Sequence, residues 1–111
     1  MAYTKQMAYE TLRSIDSATF TGSYQAIGTQ LTHPGSIVKM VNNSNVLVTI
    51  SLDGTTDVDI LPANSFWLYD ETTNRASATD AVFIPQGKQF YVKGAAGVGS
   101  VYLVVQYIVQ V

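Results

Sequence analysis

Three aspartates lie close together in Asp53-Gly54-Thr55-Thr56-Asp57-Val58-Asp59. Oxygen donors of this kind suit a hard cation such as calcium, so Asp53, Asp57 and Asp59 are the candidate metal ligands. The twelve-residue spacing of a calcium loop is missing, and so is its terminal bidentate Glu. A simpler reading has Asp53 capping a turn with Gly54. Asp57 and Asp59 would then point the same way from a strand edge, where charge discourages unwanted pairing. His33 is the single histidine. Acid–base catalysts and many metal sites use this residue type, but here it precedes Pro34-Gly35 and is expected in an exposed turn. The glycine-rich run 94–99 has a superficial likeness to a phosphate-binding loop. Such a loop leads into a helix and carries a Lys-Ser or Lys-Thr pair or a downstream acid. This one leads into a strand pattern and reads as a hairpin connection. The absence of cysteine excludes disulfides, thiolate nucleophiles and Cys-based zinc sites. With no nucleophile motif and no cofactor fingerprint, the expectation is a protein without enzymatic activity and without a cofactor.

Trp67 and Tyr69 share one face of a strand pattern, and Phe66 and Leu68 share the other. One pair must enter the core. Core packing suits the lone Trp; an exposed Trp67 and Tyr69 could instead stack on a sugar ring or pack on a partner.

The elements that must position these residues are strands. Charged residues make up 13% of the 111 and hydrophobic residues 47%. Average soluble domains carry about 25% charge, so half the usual charge is missing. Ser, Thr, Asn and Gln fill the gap. Composition excludes an acidic disordered tail and a coiled coil. Six scattered Lys and Arg at a net charge of −2 exclude a nucleic-acid footprint. Residues 94–111 are uncharged, yet glycines, glutamines and an alternating pattern argue against a membrane span.

The period is two. Val46, Val48, Ile50 and Leu52 alternate with polar neighbours and end at Asp53-Gly54, a turn signal. Residues 37–41 read as a strand before the turn Asn42-Asn43-Ser44-Asn45. Val58 and Ile60, then 66–71, 81–84 and 90–93 follow, and 101–111 forms the clearest strand, apolar on both faces. About eight strands at this spacing predict a single all-β sandwich, jelly-roll-like, over residues 17–111. Residues 1–16 differ. Ala8, Leu12 and Ile15 have helical spacing, which fits an N-terminal arm or a short helix over 5–13. That arm either frays or orders on a neighbouring subunit, and deleting residues 1–13 should leave the fold intact.

One ordered set of motifs has a familiar look. Ser17-Ala18-Thr19-Phe20-Thr21-Gly22-Ser23-Tyr24-Gln25 is followed by Leu31-Thr32-His33-Pro34, Val41-Asn42-Asn43-Ser44 and Ser51-Leu52-Asp53-Gly54-Thr55-Thr56-Asp57. Pro62-Ala63-Asn64-Ser65-Phe66, Leu68-Tyr69-Asp70, Asn74-Arg75, Gln86-Gly87 and Tyr91-Val92-Lys93-Gly94 complete it. This order resembles small virion structural proteins of tailed bacteriophages, over residues 14–108. Members of that family carry Gly where this chain has Asn64. The resemblance implies a capsid decoration (cement) or head–tail accessory subunit. It would be present in many copies in the virion, assembled in the host bacterial cytoplasm, and would carry no active site. The implied partners are further copies of the chain and major capsid or connector and tail proteins, with neither nucleic acid nor membrane. The expected contact residues are Trp67 and Tyr69, the arm around Tyr3, Met7 and Tyr9, and the C-terminal Tyr107, Ile108, Val109 and Val111. The alternative is a glycan-binding β-sandwich module on a phage appendage, which requires Trp67 and Tyr69 to be exposed.

Overall fold

Alternation of buried and exposed side chains sorts the strands into two layers. The computed structural model describes residues 5–70 and 84–110. Among them are nine strands: β1 (Lys5–Tyr9), β2 (Arg13–Asp16), β3 (Gln25–Ala26), β4 (Ile37–Ser44), β5 (Val48–Ser51), β6 (Asp59–Leu61), β7 (Ser65–Asp70), β8 (Tyr91–Lys93) and β9 (Gly99–Gln110). The first sheet has the order β1-β9-β4-β7, with β2 also on β9; the second has the order β3-β8-β5-β6. Every pairing is antiparallel. The chain is therefore an all-β sandwich, as its periodicity predicts. The strand expected over 81–84 falls mostly outside the described residues; Ile84 itself bridges Gly35.

The core lies between the layers. Val101, Leu103 and Val105 of β9 are fully buried beside Val38 and Met40 of β4, with Val48, Ile50, Val92 and Phe90 opposite. Each such side chain contributes about 1.5–3 kcal/mol by leaving water. The inner face of β4 then continues through Asn42 and Ser44, both buried. Asn42 Nδ2 donates to the carbonyls of Val46 and Leu61, each at 2.9 Å, and its Oδ1 accepts from the Ser44 amide at 3.2 Å. These bonds satisfy a buried amide. They are why β4 runs through Ser44 rather than turning at Asn42.

Two local expectations are corrected. First, residues 5–13 form no helix. The apolar stripe Ala8, Leu12, Ile15 is too thin to hold one, whereas the edge of β9 offers a ladder in two stretches, with Met7 opposite Ile108 and Ile15 opposite Val101. Over residues 5–16 the expected arm is thus part of the sheet, and removing it would strip β9 of its neighbours along one edge. Second, the run 94–99 is not a hairpin, because β8 and β9 belong to different sheets. It crosses between layers and presses on the β4–β5 turn: the Val98 amide donates to Asn45 Oδ1 at 2.9 Å, and the Asn45 amide to the Val98 carbonyl at 3.1 Å.

The turn between β6 and β7 places Asn64 at φ 58°. That left-handed conformation suits glycine best and asparagine next, which accounts for Asn64 at a position where the resembled family has Gly.

Candidate interaction surface

Inward residues dictate outward ones. Because Trp67 and Met40 pair across β7 and β4 facing the core, their neighbours Phe66 and Val41 face out as a pair, with Tyr102 of β9 beside Val41. The next outward row is Val104, Lys39 and Leu68; beyond it lie Tyr9, Gln106, Ile37 and, at the edge, the exposed Asp70, then Met7 and Ile108. Phe66 is 64% exposed, Leu68 52% and Tyr9 66%. A shallow groove of about 360 Å³ runs along Lys39, Val41, Asn43, Asn64 and Phe66. Lys39 is half-buried, its stem lying among apolar neighbours as long cationic side chains do. An apolar, aromatic face with charge at its centre limited to one lysine has the make-up of the centre of a protein interface.

The expected contact residues divide. Met7, Tyr9 and Ile108 lie on this outer face. Trp67 and Tyr69 turn the other way and pack against the core, Trp67 at 6.2 Å from the Phe90 ring. Tyr107 also faces inward, as does Val109 two residues on. Tyr3 and Val111 lie outside the described residues. Phe66, Leu68, Val41 and Val104 belong to the surface and were not expected there. Strand alternation signals that Phe66 and Leu68 form one of two faces, but only the partner strands decide which. With Trp67 and Tyr69 half-buried against the core, the flat aromatic platform required for glycan binding is missing at that position.

The three aspartates do not converge. Asp53 accepts from the amides of Thr55 and Thr56, each at 2.8 Å, and from Ser51 Oγ at 2.9 Å. Those bonds hold its carboxyl far below the usual range, as the turn-capping reading requires. Asp57 accepts from the Tyr24 hydroxyl and pairs with Lys93 Nζ at 3.1 Å. Its carboxyl is lowered by those partners, while desolvation, together with the bond to Asp57, pushes Tyr24 up to about 12. Asp59 bonds the amide of Ile60. No cluster of three or more His, Cys, Asp or Glu is placed to hold a metal among the described residues.

The titratable groups that do converge are Glu10, Arg13 and His33. Between β1 and β2 the chain breaks its ladder, keeping one bond from the Glu10 amide to the Val105 carbonyl at 3.0 Å, and Glu10 and Arg13 turn inward. Their side chains are 3% and 6% exposed and meet at 2.7 Å. Arg13 also donates to the carbonyls of Thr29 and Gln30, each at 2.8 Å. Glu10 further accepts from the Thr32 amide at 3.1 Å and from His33 Nδ1 at 2.8 Å. The His33 ring stacks on Tyr107 at 3.7 Å and 3°. His33 is therefore half-buried and engaged rather than loose in an exposed turn. A cleft of about 520 Å³ opens beside the cluster, lined by Tyr9, Leu12, Arg13 and Tyr107 among others. The Glu10 carboxylate, the Arg13 guanidinium and His33 Nδ1 are all engaged within the chain, so the arrangement clasps the 27–33 loop onto the sheet.

Burial pushes the Glu10 carboxyl up, but bonds from Arg13, His33 and Thr32 outweigh it and hold the group below its ordinary value of 4.5. A carboxyl lowered by folding stabilises the fold fully above its unfolded value and ceases to do so as pH falls through its folded value. The thermal midpoint should therefore drop as pH is lowered from 6 to below 4.5, and Glu10→Gln should flatten that slope. An unchanged slope in the variant would show that Glu10 is not a source of the acid sensitivity.

No helix among the described residues is long and apolar enough to cross a membrane. No family model matches the chain. No curated protein matches it. Among solved structures it is similar to the Dit protein of phage SPP1, described as a paradigm of the hub adsorption apparatus in phages that infect Gram-positive bacteria. The TM-score is 0.40 at 13% identity, over 91% of this chain and 49% of the other. The chain thus spans about half the length of that protein.

Proposed function

We propose that the chain is a non-enzymatic structural subunit of a tailed-bacteriophage virion. It works as an oligomeric decoration or cement protein, or as a head–tail accessory subunit. It stabilises the particle by burying surface against copies of itself and against capsid or connector and tail proteins, and it is assembled into the particle in the host cytoplasm. The observation that carries this reading is the outer face of the first sheet, where Tyr102, Val41, Phe66, Val104 and Leu68 stand toward solvent around a single lysine. An exposed face of this kind calls for protein cover. The order of motifs over residues 14–108 supports a virion subunit in particular. The engagement of Asp53, Asp57, Glu10 and His33 with neighbouring groups supports a mechanical role over a catalytic one.

The test is incorporation. Particles produced with the tagged chain should carry it, and the double variant Phe66→Ser, Leu68→Ser should be largely excluded from them. Both side chains are exposed, so the variant should keep its thermal midpoint to within about 0.5 kcal/mol of stability per site. A chain absent from particles, or a folded variant that enters them as well as the original, would overturn the proposal.

A further inference from the structure

We infer that the open edge at the end of β9 pairs with the same edge of a second copy, antiparallel and about a two-fold axis at Val109. The inference rests on the reading of the chain as an oligomeric subunit and names one contact that builds the oligomer. The outer face around Phe66 plays no part in it.

β9 outruns its sheet. It is 12 residues long, and β4 accompanies it only as far as the pair Ile37 and Gln106. From 107 to 110 its one neighbour among the described residues is β1. The cause lies just upstream of β4. Continued in register, that strand would set Gly35 opposite Ile108. The Gly35 amide and carbonyl are instead bonded to Ile84, at 2.8 and 3.0 Å. β1 and the end of β9 are thus left as a two-stranded ribbon, which is marginally stable by itself in water. It is apolar on both faces, with Met7 and Ile108 on one and Ala8, Tyr107 and Val109 on the other.

The backbone groups on the open edge follow from strand geometry. Successive residues turn their amide and carbonyl to alternate sides. The Val105 carbonyl accepts from Glu10 on the β1 side at 3.0 Å, and the Gln106 carbonyl from Ser36 on the β4 side at 2.9 Å. Ile108 and Gln110 therefore point their amides and carbonyls to the β4 side, where no strand meets them among the described residues. Exposed edges are usually guarded by charge, proline or a bulge. Tyr107, Ile108, Val109 and Gln110 offer neither charge nor proline, and their register on β1 is unbroken.

A second copy supplies the complement to this edge. With Val109 of one copy opposite Val109 of the other, Ile108 of each exchanges both its bonds with Gln110 of its mate. Every open group is then used, and Gln106 keeps its bond to Ser36. No like charges meet along the new ladder. The two ribbons become one four-stranded sheet in the order β1-β9-β9-β1, which removes the weakness of each alone. The contact is isologous, since the same edge serves both copies.

The experiment combines sedimentation velocity on the full chain, across a concentration series, with single-cysteine crosslinking. The original chain should associate as its concentration rises. Ile108→Pro removes an amide that faces away from β1, so the chain keeps its own ladder. Two of the bonds to the second copy are lost, and association should weaken by about tenfold or more. The chain has no cysteine, so Val109→Cys places a single thiol at the axis. Opposed residues of a non-hydrogen-bonded pair lie ~4.5 Å apart between Cα atoms, within disulfide reach. Val109→Cys should therefore oxidise to a covalent dimer, and Met7→Cys, on the outer strand of the same ribbon, should not. A chain that is monomeric at every concentration would overturn the inference. So would association that a folded Ile108→Pro variant leaves unchanged, or crosslinking no faster at 109 than at 7. Should Ile108→Pro fail to fold, the two cysteine variants decide alone. A monomeric chain that still enters particles through Phe66 and Leu68 would overturn this inference and leave the proposed function in place. A chain that dimerises with the expected crosslink yet is absent from particles would do the reverse.

Discussion

Arg13→Met should lower the thermal midpoint by about 10–20 °C. The Glu10 carboxylate is 3% exposed and the Arg13 guanidinium 6%, and the two meet at 2.7 Å. Removing one partner of a buried ion pair leaves an uncompensated charge and costs about 3–5 kcal/mol. At this chain length each kcal/mol moves the midpoint by about 4 °C. Arg13 also caps the carbonyls of Thr29 and Gln30, which would lose their donors. Gly28 shows how closely the arginine is fitted: a Cβ there would stand 2.6 Å from Arg13 Cγ. The double variant Arg13→Met, Glu10→Leu should be less damaging than Arg13→Met alone, because replacing both partners removes the stranded charge. Calorimetry on the three proteins decides this. A single variant no less stable than the original would mean that the cluster does not hold the 27–33 loop.

Gly99→Ala is the second large effect. Gly99 begins β9 at φ +115° and pairs with Ser44. A Cβ would lie 2.2 Å from the Asn43 carbonyl oxygen and 2.8 Å from Ser44 Cα. Both obstacles are backbone of the neighbouring strand, so relief requires parting β4 from β9 at the end of their ladder. Conformational strain of about 1–3 kcal/mol and overpacking of a similar size should sum to about 4 kcal/mol. Gly87 is the control. It also has positive φ, +88°, but nothing lies within 4 Å of its would-be Cβ. Gly87→Ala should cost only about 1 kcal/mol. Urea midpoints for the two variants should differ accordingly, and equal midpoints would contradict the crowding at Gly99.

The sandwich itself is legible in the residues because its core repeats with period two. Val101, Leu103 and Val105 can be read directly, and so can Val48 and Ile50. The turn at Asp53-Gly54 is equally plain, since its chemistry is local. What cannot be read depends on partners distant in the chain. The parity of β7 is one case: Phe66-Trp67-Leu68-Tyr69 alternates equally well with either pair inside, and only the register on β4 turns Trp67 inward and leaves Phe66 in solvent. The N-terminal strands are another, since residues 5–16 carry a thin helical pattern and become strands only because β9 offers an edge. The Glu10–Arg13–His33 cluster joins residues up to 23 positions apart, and no local spacing announces it. The run 94–99 reads as a turn, but whether it joins neighbours or crosses layers depends on where β8 and β9 lie.

This placement of Phe66 also decides which surface the account depends on. The low charge of the chain has a structural counterpart: an outer sheet face where Phe66, Leu68, Val104 and Tyr102 leave solvent only if another protein covers them. The most direct measurement is competitive incorporation, with the original chain and the Phe66→Ser, Leu68→Ser variant co-expressed under different tags and their ratio determined in purified particles. The account predicts a variant-to-original ratio in particles well below the ratio in the cell, with both proteins equally stable in solution. Equal ratios in particles and cell would contradict it.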